Sequence, residues 1–301
     1  MIAGKNVLIT GSSGFIGRAL ISALVNRGNH LTLIDKVARA SIDPEAQVIV
    51  GDLTDSKTIR QVAGPIDIIF AFGSPSSIEL FNQNLQQAAT ETLCGFLNVM
   101  EFASQRRVER VVYPSSGTVY SNDAGTASKE LSPINIYGVL KLTHERIAAT
   151  YSSQVKSVGL RIFMGYGPGE EAKGPIGSPV VLFLRDALAG RSPVVWGDGS
   201  QARDMVFIDD IVATALTVAE RDIAHSTVDV GTGKNTTFNE MIRLISHATG
   251  RSVVPSYVPA PRKYPAPALA DPERIIELIG RRPLSIDEGI SRFARYLTSS
   301  N

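Results

Sequence analysis

Three glycines, Gly11, Gly14 and Gly17, stand in a G-x-x-G-x-x-G spacing between an apolar run at residues 7–9 and a segment with helical spacing. Because glycine has no side chain, such a turn lets a phosphate approach the backbone, and the following helix offers its N-terminal amides to that charge. The pattern therefore predicts a strand, a tight turn and a helix that together bind a dinucleotide. The alternative is a glycine turn that serves only helix packing, with Asp35 as a helix cap.

The N-terminal half repeats this alternation of short apolar runs and helical patterns. The predicted strands cover residues 7–9, 31–34, 48–50, 66–70, 111–113 and 157–162, and the predicted helices cover residues 15–27, 55–63, 84–105 and 136–152. The apolar runs are continuous rather than alternating, which is typical of parallel strands covered on both faces. The order favours an α/β fold with a Rossmann-type doubly wound parallel sheet and right-handed crossovers.

The C-terminal part differs, and a glycine-rich loop over residues 165–177 marks the expected boundary. Beyond it the predicted elements are helices at 179–189, 209–220 and 238–249, strands at 194–196 and 227–230, and irregular or extended chain over 255–267. We expect a cofactor-binding domain over residues 1–164 plus about 207–235. A smaller C-terminal α/β substrate lobe would then cover 165–206 and 236–301.

Composition narrows the classes of function. Of 301 residues, 44% are apolar and 20% charged, which indicates a folded globular chain, and the net charge of +1 predicts neither nucleic acid nor a membrane surface as a partner. The single cysteine, Cys94, excludes an internal disulfide and a zinc site built from several thiolates. The chain shows neither a signal-peptide pattern nor an apolar stretch of the ~20 residues that span a membrane. We therefore expect a cytoplasmic protein that acts on a small molecule.

An acidic residue follows the glycine motif at the distance that a dinucleotide site uses. Asp35 lies at the end of the second predicted strand, eighteen residues after Gly17, where its carboxylate can accept hydrogen bonds from the adenosine ribose. Because a carboxylate repels a 2′-phosphate, NAD is favoured over NADP. Lys36 and Arg39 lie close enough to weaken that preference.

Asp52 and Leu53 follow the third predicted strand. The Asp52 carboxylate can accept from the adenine amino group while Leu53 packs on the ring. The alternative is that Asp52 caps the helix that starts near residue 55.

A tyrosine and a lysine one helical turn apart suggest acid–base chemistry. Tyr137 and Lys141 share one face of a predicted helix, and a neighbouring cation lowers a phenol's pKa from about 10 toward working pH. A surface pair is the alternative. Ser115 and Ser116 stand just past a predicted strand, at the edge where open α/β sheets place ligands, although an ordinary serine turn would look the same.

Together these motifs resemble a known family. The glycine loop, Ser115 to Tyr120 and the Tyr137-x-x-x-Lys141 pair resemble extended short-chain dehydrogenase/reductases, specifically the NAD-dependent nucleotide-sugar epimerase/dehydratase family. Residues 161–169 and 194–210 are similar to that family's Arg-x-x-Asn-x-Tyr-Gly-Pro and Gly-Asp-Gly-x-x-x-Arg-Asp segments. The resemblance runs from residue 5 to about residue 291.

The resemblance implies roles for particular residues. Tyr137 would be the acid/base, Lys141 would lower its pKa and hold the nicotinamide ribose, and Ser116 would bond the reacting sugar oxygen. The implied NAD-binding residues, besides Tyr137 and Lys141, are Gly11, Gly14, Phe15, Ile16, Gly17, Asp35, Asp52, Leu53, Phe72 and Gly73. The implied nucleotide-sugar-binding residues are Thr118, Met164, Trp196, Arg203 and Arg262. Without the resemblance, Arg203 beside Asp204 reads as a surface ion pair, and Arg262 as a solvated basic residue beside Lys263.

Departures from the family pattern narrow the choice among the reactions that the family catalyses. Dehydratases of this family carry Asp-Glu where this chain has Gly117 and Thr118, neither of which can perform acid–base work on carbon. The family's asparagines are replaced by Thr92 and Met164. A 4,6-dehydratase is therefore disfavoured, and C4 epimerisation through a transient 4-keto sugar is expected. The alternatives are an NAD(P)H-dependent 4-keto-sugar reductase and a non-catalytic NAD(P)-binding sensor.

The resemblance also implies a homodimer. Relatives pair through helices that match residues 84–105 and 136–152, which would place Leu93, Leu97 and Met100 at the contact. The alternative is that these apolar residues belong to the ordinary core of the monomer.

Overall fold

The structure is a computed structural model that describes residues 2–37, 43–120, 130–223, 225–260 and 268–299. Its strands are β1 (Asn6–Thr10), β2 (His30–Asp35), β3 (Gln47–Val50), β4 (Ile68–Ala71), β5 (Arg110–Ser116), β6 (Lys156–Ile162), β7 (Met164–Tyr166), β8 (Val194–Trp196), β9 (Ala202–Phe207), β10 (Ser226–Val230), β11 (Asn235–Thr237) and β12 (Ser256–Val258). Its α-helices are α1 (Phe15–Leu24), α2 (Ser56–Arg60), α3 (Ile78–Gln83), α4 (Leu85–Gln105), α5 (Ile136–Thr150), α6 (Pro179–Leu188), α7 (Ile208–Glu220), α8 (Phe238–Thr249), α9 (Glu273–Ile279) and α10 (Ile286–Ser299). Among these helices, none has the length and apolar run that crossing a bilayer requires.

Seven of the described strands form one sheet in the order β10-β6-β5-β4-β1-β2-β3. The pairs β1–β2, β1–β4, β2–β3 and β4–β5 are all parallel. All four residues of β4 are buried, as continuous apolar strands covered on both faces require. The strand order reverses direction at β1, so a crevice opens beyond the carboxyl ends of β1 and β4, where doubly wound folds bind ligands. The predicted fold class is confirmed.

One face of this sheet is covered by helix α4. Phe96, Val99 and Met100 on α4 join Leu8 of β1 and Val111 of β5 in a buried apolar cluster. Burying these side chains is the main driving force for docking the helix on the sheet. Met100 is fully buried, so the alternative that it belongs to the core of the monomer holds for this residue, whereas Leu97 on the same helix is 41% exposed.

The chain divides into two compact units. The first comprises Met1–Val119, Pro133–Arg161 and Val212–Val228, and the second comprises Tyr120–Ser132, Ile162–Ile211 and Asp229–Asn301. Two interleaved domains are also expected from the sequence, and the cofactor-binding and substrate-binding roles given to them remain predictions.

The second unit is built around short strands and three packed helices. Its described strands form a sheet in the order β11-β9-β7 and a pair, β12 and β8, while α8 packs against α6 and α10. A buried carboxylate ties its loops together: Asp204 on β9 accepts hydrogen bonds from the backbone amides of Thr232, Gly233 and Ala270 and from the Thr232 hydroxyl. Four donors on one buried carboxylate satisfy its charge.

Several elements differ from the sequence expectations. Residues 165–177 are not a plain loop, because a 3₁₀ helix covers Glu170–Ile176. The carboxylate of Glu170, 1% exposed, accepts from the amide and hydroxyl of Ser178 and so joins this turn to the start of α6. Strand β12 lies inside the stretch expected to be irregular or extended. The sequence pattern does not predict the short strands β7, β9 and β11 or the helices α3, α9 and α10, whose apolar runs are brief or interrupted.

Candidate active site

The glycine loop makes a turn that no other residue type fits. Gly11 has φ +68°, and a Cβ atom on it would lie 2.4 Å from the carbonyl oxygen of Phe72. A Cβ atom on Gly17 would lie 2.2 Å from the carbonyl oxygen of Gly11. Helix α1 begins at Phe15 after Gly14, a residue with no side chain to cap the first amides. The loop is thus a backbone cradle at a helix N-terminus, which suits a pyrophosphate.

Asp35 closes β2 beside this cradle. Its Oδ2 accepts from the amide of Ser13 at 2.9 Å and its Oδ1 accepts from the amide of Val37 at 3.1 Å. The carboxylate therefore braces the glycine loop rather than capping a helix. Because a carboxylate offers about four lone-pair sites, it can still accept from ribose hydroxyls. Arg39, predicted nearby, lies outside the described residues.

Asp52 and Leu53 lie beyond the carboxyl end of β3. The alternative role for Asp52 is wrong, because α2 is capped by Asp55, which accepts from the amide of Lys57 at 2.9 Å. Asp52 instead accepts from the amide of Thr54 and forms an ion pair with Lys36. Leu53 is buried, and a Cβ atom on Gly73 would lie 2.8 Å from its Cδ1.

Helix α5 presents Tyr137 and Lys141 on one face. The helix begins after Asn135, whose side chain accepts from the amide of Gly138 at 2.8 Å. Both side chains are buried, and the Lys141 ammonium lies 5.6 Å from the centroid of the Tyr137 ring. Gly138 lets the helix approach its neighbour, since a Cβ atom there would lie 2.5 Å from the carbonyl oxygen of Thr118.

Lys141 connects this helix to the glycine cradle. Its ammonium donates to the hydroxyl of Ser74 at 2.8 Å, and Ser74 directly follows the Phe72–Gly73 pair that packs on Gly11. The sequence motifs do not single out Ser74. Its position just beyond the fourth predicted strand was the only signal available.

Ser116 is the third of the residues predicted to be catalytic. It is the last residue of β5, not a residue past the strand, and its Oγ accepts from the amide of Thr118 at 3.2 Å and from the Thr118 hydroxyl at 3.0 Å. Since both of those bonds use the oxygen as acceptor, the Ser116 proton can be donated elsewhere. A side-chain hydrogen bond joins Ser116 to Tyr137. The structure thus brings together the three residues predicted to be catalytic.

The pKa values of the Tyr–Lys pair correct one expectation. Burial raises the pKa of Tyr137 to about 12, although the hydrogen bond with Ser116 acts in the lowering direction. Burial also lowers the pKa of Lys141 to about 7. The prediction that Lys141 brings the Tyr137 pKa below its ordinary value is therefore wrong for these side chains alone. Desolvation disfavours the charged form of both groups and sets the direction of both pKa shifts.

A buried ion pair joins α5 to the neighbouring strands. Glu145, one turn after Lys141, accepts from Nε and Nη2 of Arg161 at 2.9 and 2.8 Å and from the Ser115 hydroxyl at 2.6 Å. Ser115 is thus a structural contact rather than a turn residue.

His144, stacked on Phe96 with ring centroids 4.2 Å apart, has its pKa lowered to about 3 by burial and is neutral.

The remaining predicted substrate-binding residues belong mostly to the second unit. Met164 begins β7 opposite Met205, and Trp196 ends β8 with 41% of its side chain exposed. Arg203 lies on β9 and donates to the carbonyl oxygen of Ala202 at 2.7 Å. The alternative of a surface pair with Asp204 fails because that carboxylate is buried. Arg262 lies outside the described residues.

Comparison with known proteins agrees with this geometry. A UDP-glucose 4-epimerase of Mycolicibacterium smegmatis is 26% identical over 98% of this chain and 99% of the relative. The crystal structure of a UDP-glucose 4-epimerase from Thermotoga maritima has the same fold, with a TM-score of 0.91 and 23% identity over 98% and 99% of the two chains. The structure of MoeE5 in complex with UDP-glucose and NAD superposes with a TM-score of 0.85 at 26% identity, over 98% and 99% of the two chains.

A family model decides the classification. The model of the NAD dependent epimerase/dehydratase family matches residues 7–231, which include the glycine cradle, the Ser116 turn and the Tyr137–Lys141 helix. The resemblance seen in the sequence is thereby confirmed, as are an enzymatic activity and a requirement for NAD. This chain belongs to the NAD dependent epimerase/dehydratase family.

Proposed function

We propose that the protein is a nucleotide-sugar epimerase that inverts the configuration at C4. The observation that carries this proposal is the joining of Tyr137, Ser116 and Lys141 to the glycine cradle through Ser74. The 4-epimerase names of its relatives support the choice of reaction.

The proton chemistry falls to Tyr137. Its phenolate is the base that takes the proton of the sugar 4-hydroxyl and returns it when the opposite epimer forms. Ser116, whose oxygen already accepts from Thr118, donates its proton to the reacting sugar oxygen or to the phenolate. Both groups are buried, so they are shielded from competing exchange with water.

The cofactor fits the residues that the structure describes. The cradle formed by Gly11, Gly14 and Gly17 has no room for a Cβ atom at Gly11 or Gly17 and suits the pyrophosphate, while Asp35 has accepting capacity for the ribose. Lys141 would hold the second ribose. When bound, NAD supplies a hydride acceptor and, in its oxidised form, a positive charge that favours the phenolate.

Dehydration does not suit the site. Gly117 and Thr118 occupy the 3₁₀ turn after β5, at the positions where the resemblance to dehydratases would require Asp and Glu. Neither side chain ionises, so no group there can remove a carbon-bound proton. Inversion at C4 needs no such group.

The direct test is turnover without added cofactor. Protein purified with its bound NAD is incubated with UDP-glucose, and separately with UDP-N-acetylglucosamine, and the sugars are analysed by NMR. We expect the C4 epimer to accumulate with no NADH supplied. Conversion only on addition of NADH or NADPH, with stoichiometric consumption, would instead identify a 4-keto-sugar reductase.

A single substitution tests the acid/base role of Tyr137. Tyr137→Phe preserves the ring that packs edge-on against Phe81 and removes only the hydroxyl. Epimerisation should fall by at least ~10²-fold while NAD stays bound. In a sensor without turnover, this substitution would leave the cofactor-dependent behaviour largely intact.

We further propose that two copies pair through α4 and α5. Leu97 on α4 and Ile136 and Val139 on α5 are each more than 40% exposed, which is unusual for large apolar side chains grouped on two packed helices. Sedimentation should show a dimer at micromolar concentration, and Leu97→Glu should shift it to monomer.

The cytoplasmic location stays an expectation from the sequence.

A further inference from the structure

Three charged side chains meet beside the residue expected to bind the adenosine ribose. The Lys36 ammonium lies 2.9 Å from Oδ2 of Asp52 and 2.6 Å from Oε1 of Glu91. The three residues come from separate elements: Lys36 directly follows β2, Asp52 follows β3, and Glu91 lies on α4. Asp52 and Glu91 are called here the carboxylate pair.

Glu91 is the better fixed member of the pair. Its side chain is 19% exposed, against 43% for Asp52, and the Nε2 of Gln87 donates to its Oε1 at 2.8 Å. Burial by itself would lower the pKa of Lys36, but its hydrogen bonds to Glu91 and Asp52 raise it above the ordinary value. The ammonium therefore stays charged and is held between two negative groups.

This arrangement matters because of what stands next to it. Lys36 is adjacent to Asp35, whose two carboxylate oxygens already accept from the amides of Ser13 and Val37. With part of its charge satisfied by those donors, Asp35 is an incomplete barrier to a 2′-phosphate. A lysine acts as a point-charge phosphate binder, so an ammonium released beside Asp35 would offset that barrier.

We propose that Glu91 is a specificity-determining residue for the cofactor, which acts by holding Lys36 against Asp52 so that the cation is not offered to the 2′-phosphate of NADP. This inference rests on the proposed dinucleotide site. It assigns the preference for NAD to the carboxylate pair together with Asp35, rather than to Asp35 alone. Glu91 itself need not touch the cofactor.

The test is nucleotide binding rather than turnover. Glu91→Gln keeps the size and polarity of the side chain but removes its charge, and calorimetric titration of the cofactor-stripped protein gives the affinities for NAD and NADP. We expect the NADP affinity to rise about three- to tenfold while the NAD affinity stays within about twofold. Glu101→Gln, on the same helix but bonded to Gln105 and Tyr151, is the matched control and should change neither affinity.

A second substitution shows whether the effect passes through Lys36. In the double variant Lys36→Met/Glu91→Gln, the NADP affinity should return to that of the unchanged protein or below it, since no cation is left to release. The proposal is overturned if Glu91→Gln leaves the NADP affinity unchanged, raises it equally without Lys36, or lowers the affinity for both nucleotides alike. If the variants show the expected nucleotide affinities but the unchanged protein turns over no nucleotide sugar, the proposed function is overturned and this inference stands. Failure of the unchanged protein to bind NAD would overturn both.

Discussion

The ammonium of Lys141 donates a 2.8 Å hydrogen bond to the hydroxyl of Ser74, a residue 67 positions away along the chain. This bond fixes the helix that carries Tyr137 to the end of β4, beside the glycine cradle. The structure thereby places a buried amine between the phenol of Tyr137 and the end of β4.

Keeping an amine in that place destabilises the protein without its cofactor. Burial lowers the pKa of Lys141 from 10.5 to about 7, so between these pH values the unfolded chain binds more protons than the folded one. Stability from this group therefore rises as pH increases from 7 toward 10.5. We expect Lys141→Met to stabilise the cofactor-stripped protein by roughly 1–3 kcal/mol at pH 7, with the gain shrinking as pH rises.

Urea unfolding at pH 7, 8 and 9 measures this directly. Lys234→Met, at an exposed lysine of the second unit, is the control and should not alter the pH dependence. A stability difference between Lys141→Met and the unchanged protein that is constant across the range would contradict the pKa assignment.

The glycine cradle gives a second prediction. Gly11→Ala must place a Cβ atom 2.4 Å from the Phe72 carbonyl oxygen, whereas Gly64, with a similar φ of +72°, has open space around it. Gly64→Ala should cost only the ~1–2 kcal/mol of a left-handed alanine. Gly11→Ala should cost more and should abolish NAD binding, as thermal melting with and without NAD would show. Equal losses in the two variants would mean that the close approach is not what requires glycine.

The buried pair of Glu145 and Arg161 gives a third prediction. Arg161→Leu leaves the Glu145 carboxylate buried without its bidentate partner, which should cost ~3–5 kcal/mol. The double variant Arg161→Leu/Glu145→Leu removes both charges and should lose less than the sum of the two single variants. Denaturant unfolding of all four proteins completes the cycle. Strict additivity would show that the two side chains are not coupled.

The sequence predicts those parts of the site that follow from local pattern. The glycine turn, Asp35 at the strand end and the one-turn spacing of Tyr137 and Lys141 depend on residues close together along the chain. The order of short apolar runs likewise predicts the parallel sheet, because each run that is buried on both faces is apolar throughout.

Contacts between distant residues are not predicted. The Ser74 bond to Lys141 and the four donors on Asp204 join positions that only the tertiary fold brings together. The end of β5 is missed for a different reason. Pro114 has no amide proton and argues against a strand, yet β5 continues through it to Ser116.

The pKa error has the same origin. Spacing along a helix predicts that Lys141 and Tyr137 are neighbours, but it carries no information on how completely both are removed from water. Desolvation acts on each group separately and is the largest cause of both pKa shifts.

The most direct test of the account uses a nucleotide sugar deuterated at C4 of the hexose. The protein, with its bound NAD and no added reduced cofactor, is incubated with this substrate, and the product epimer is analysed by NMR and mass spectrometry. We predict that C4 inverts and that the deuterium stays on C4, because the same hydride is removed and returned without exchange with solvent. Replacement of the deuterium by solvent hydrogen, or no inversion until NADH is supplied, would contradict it.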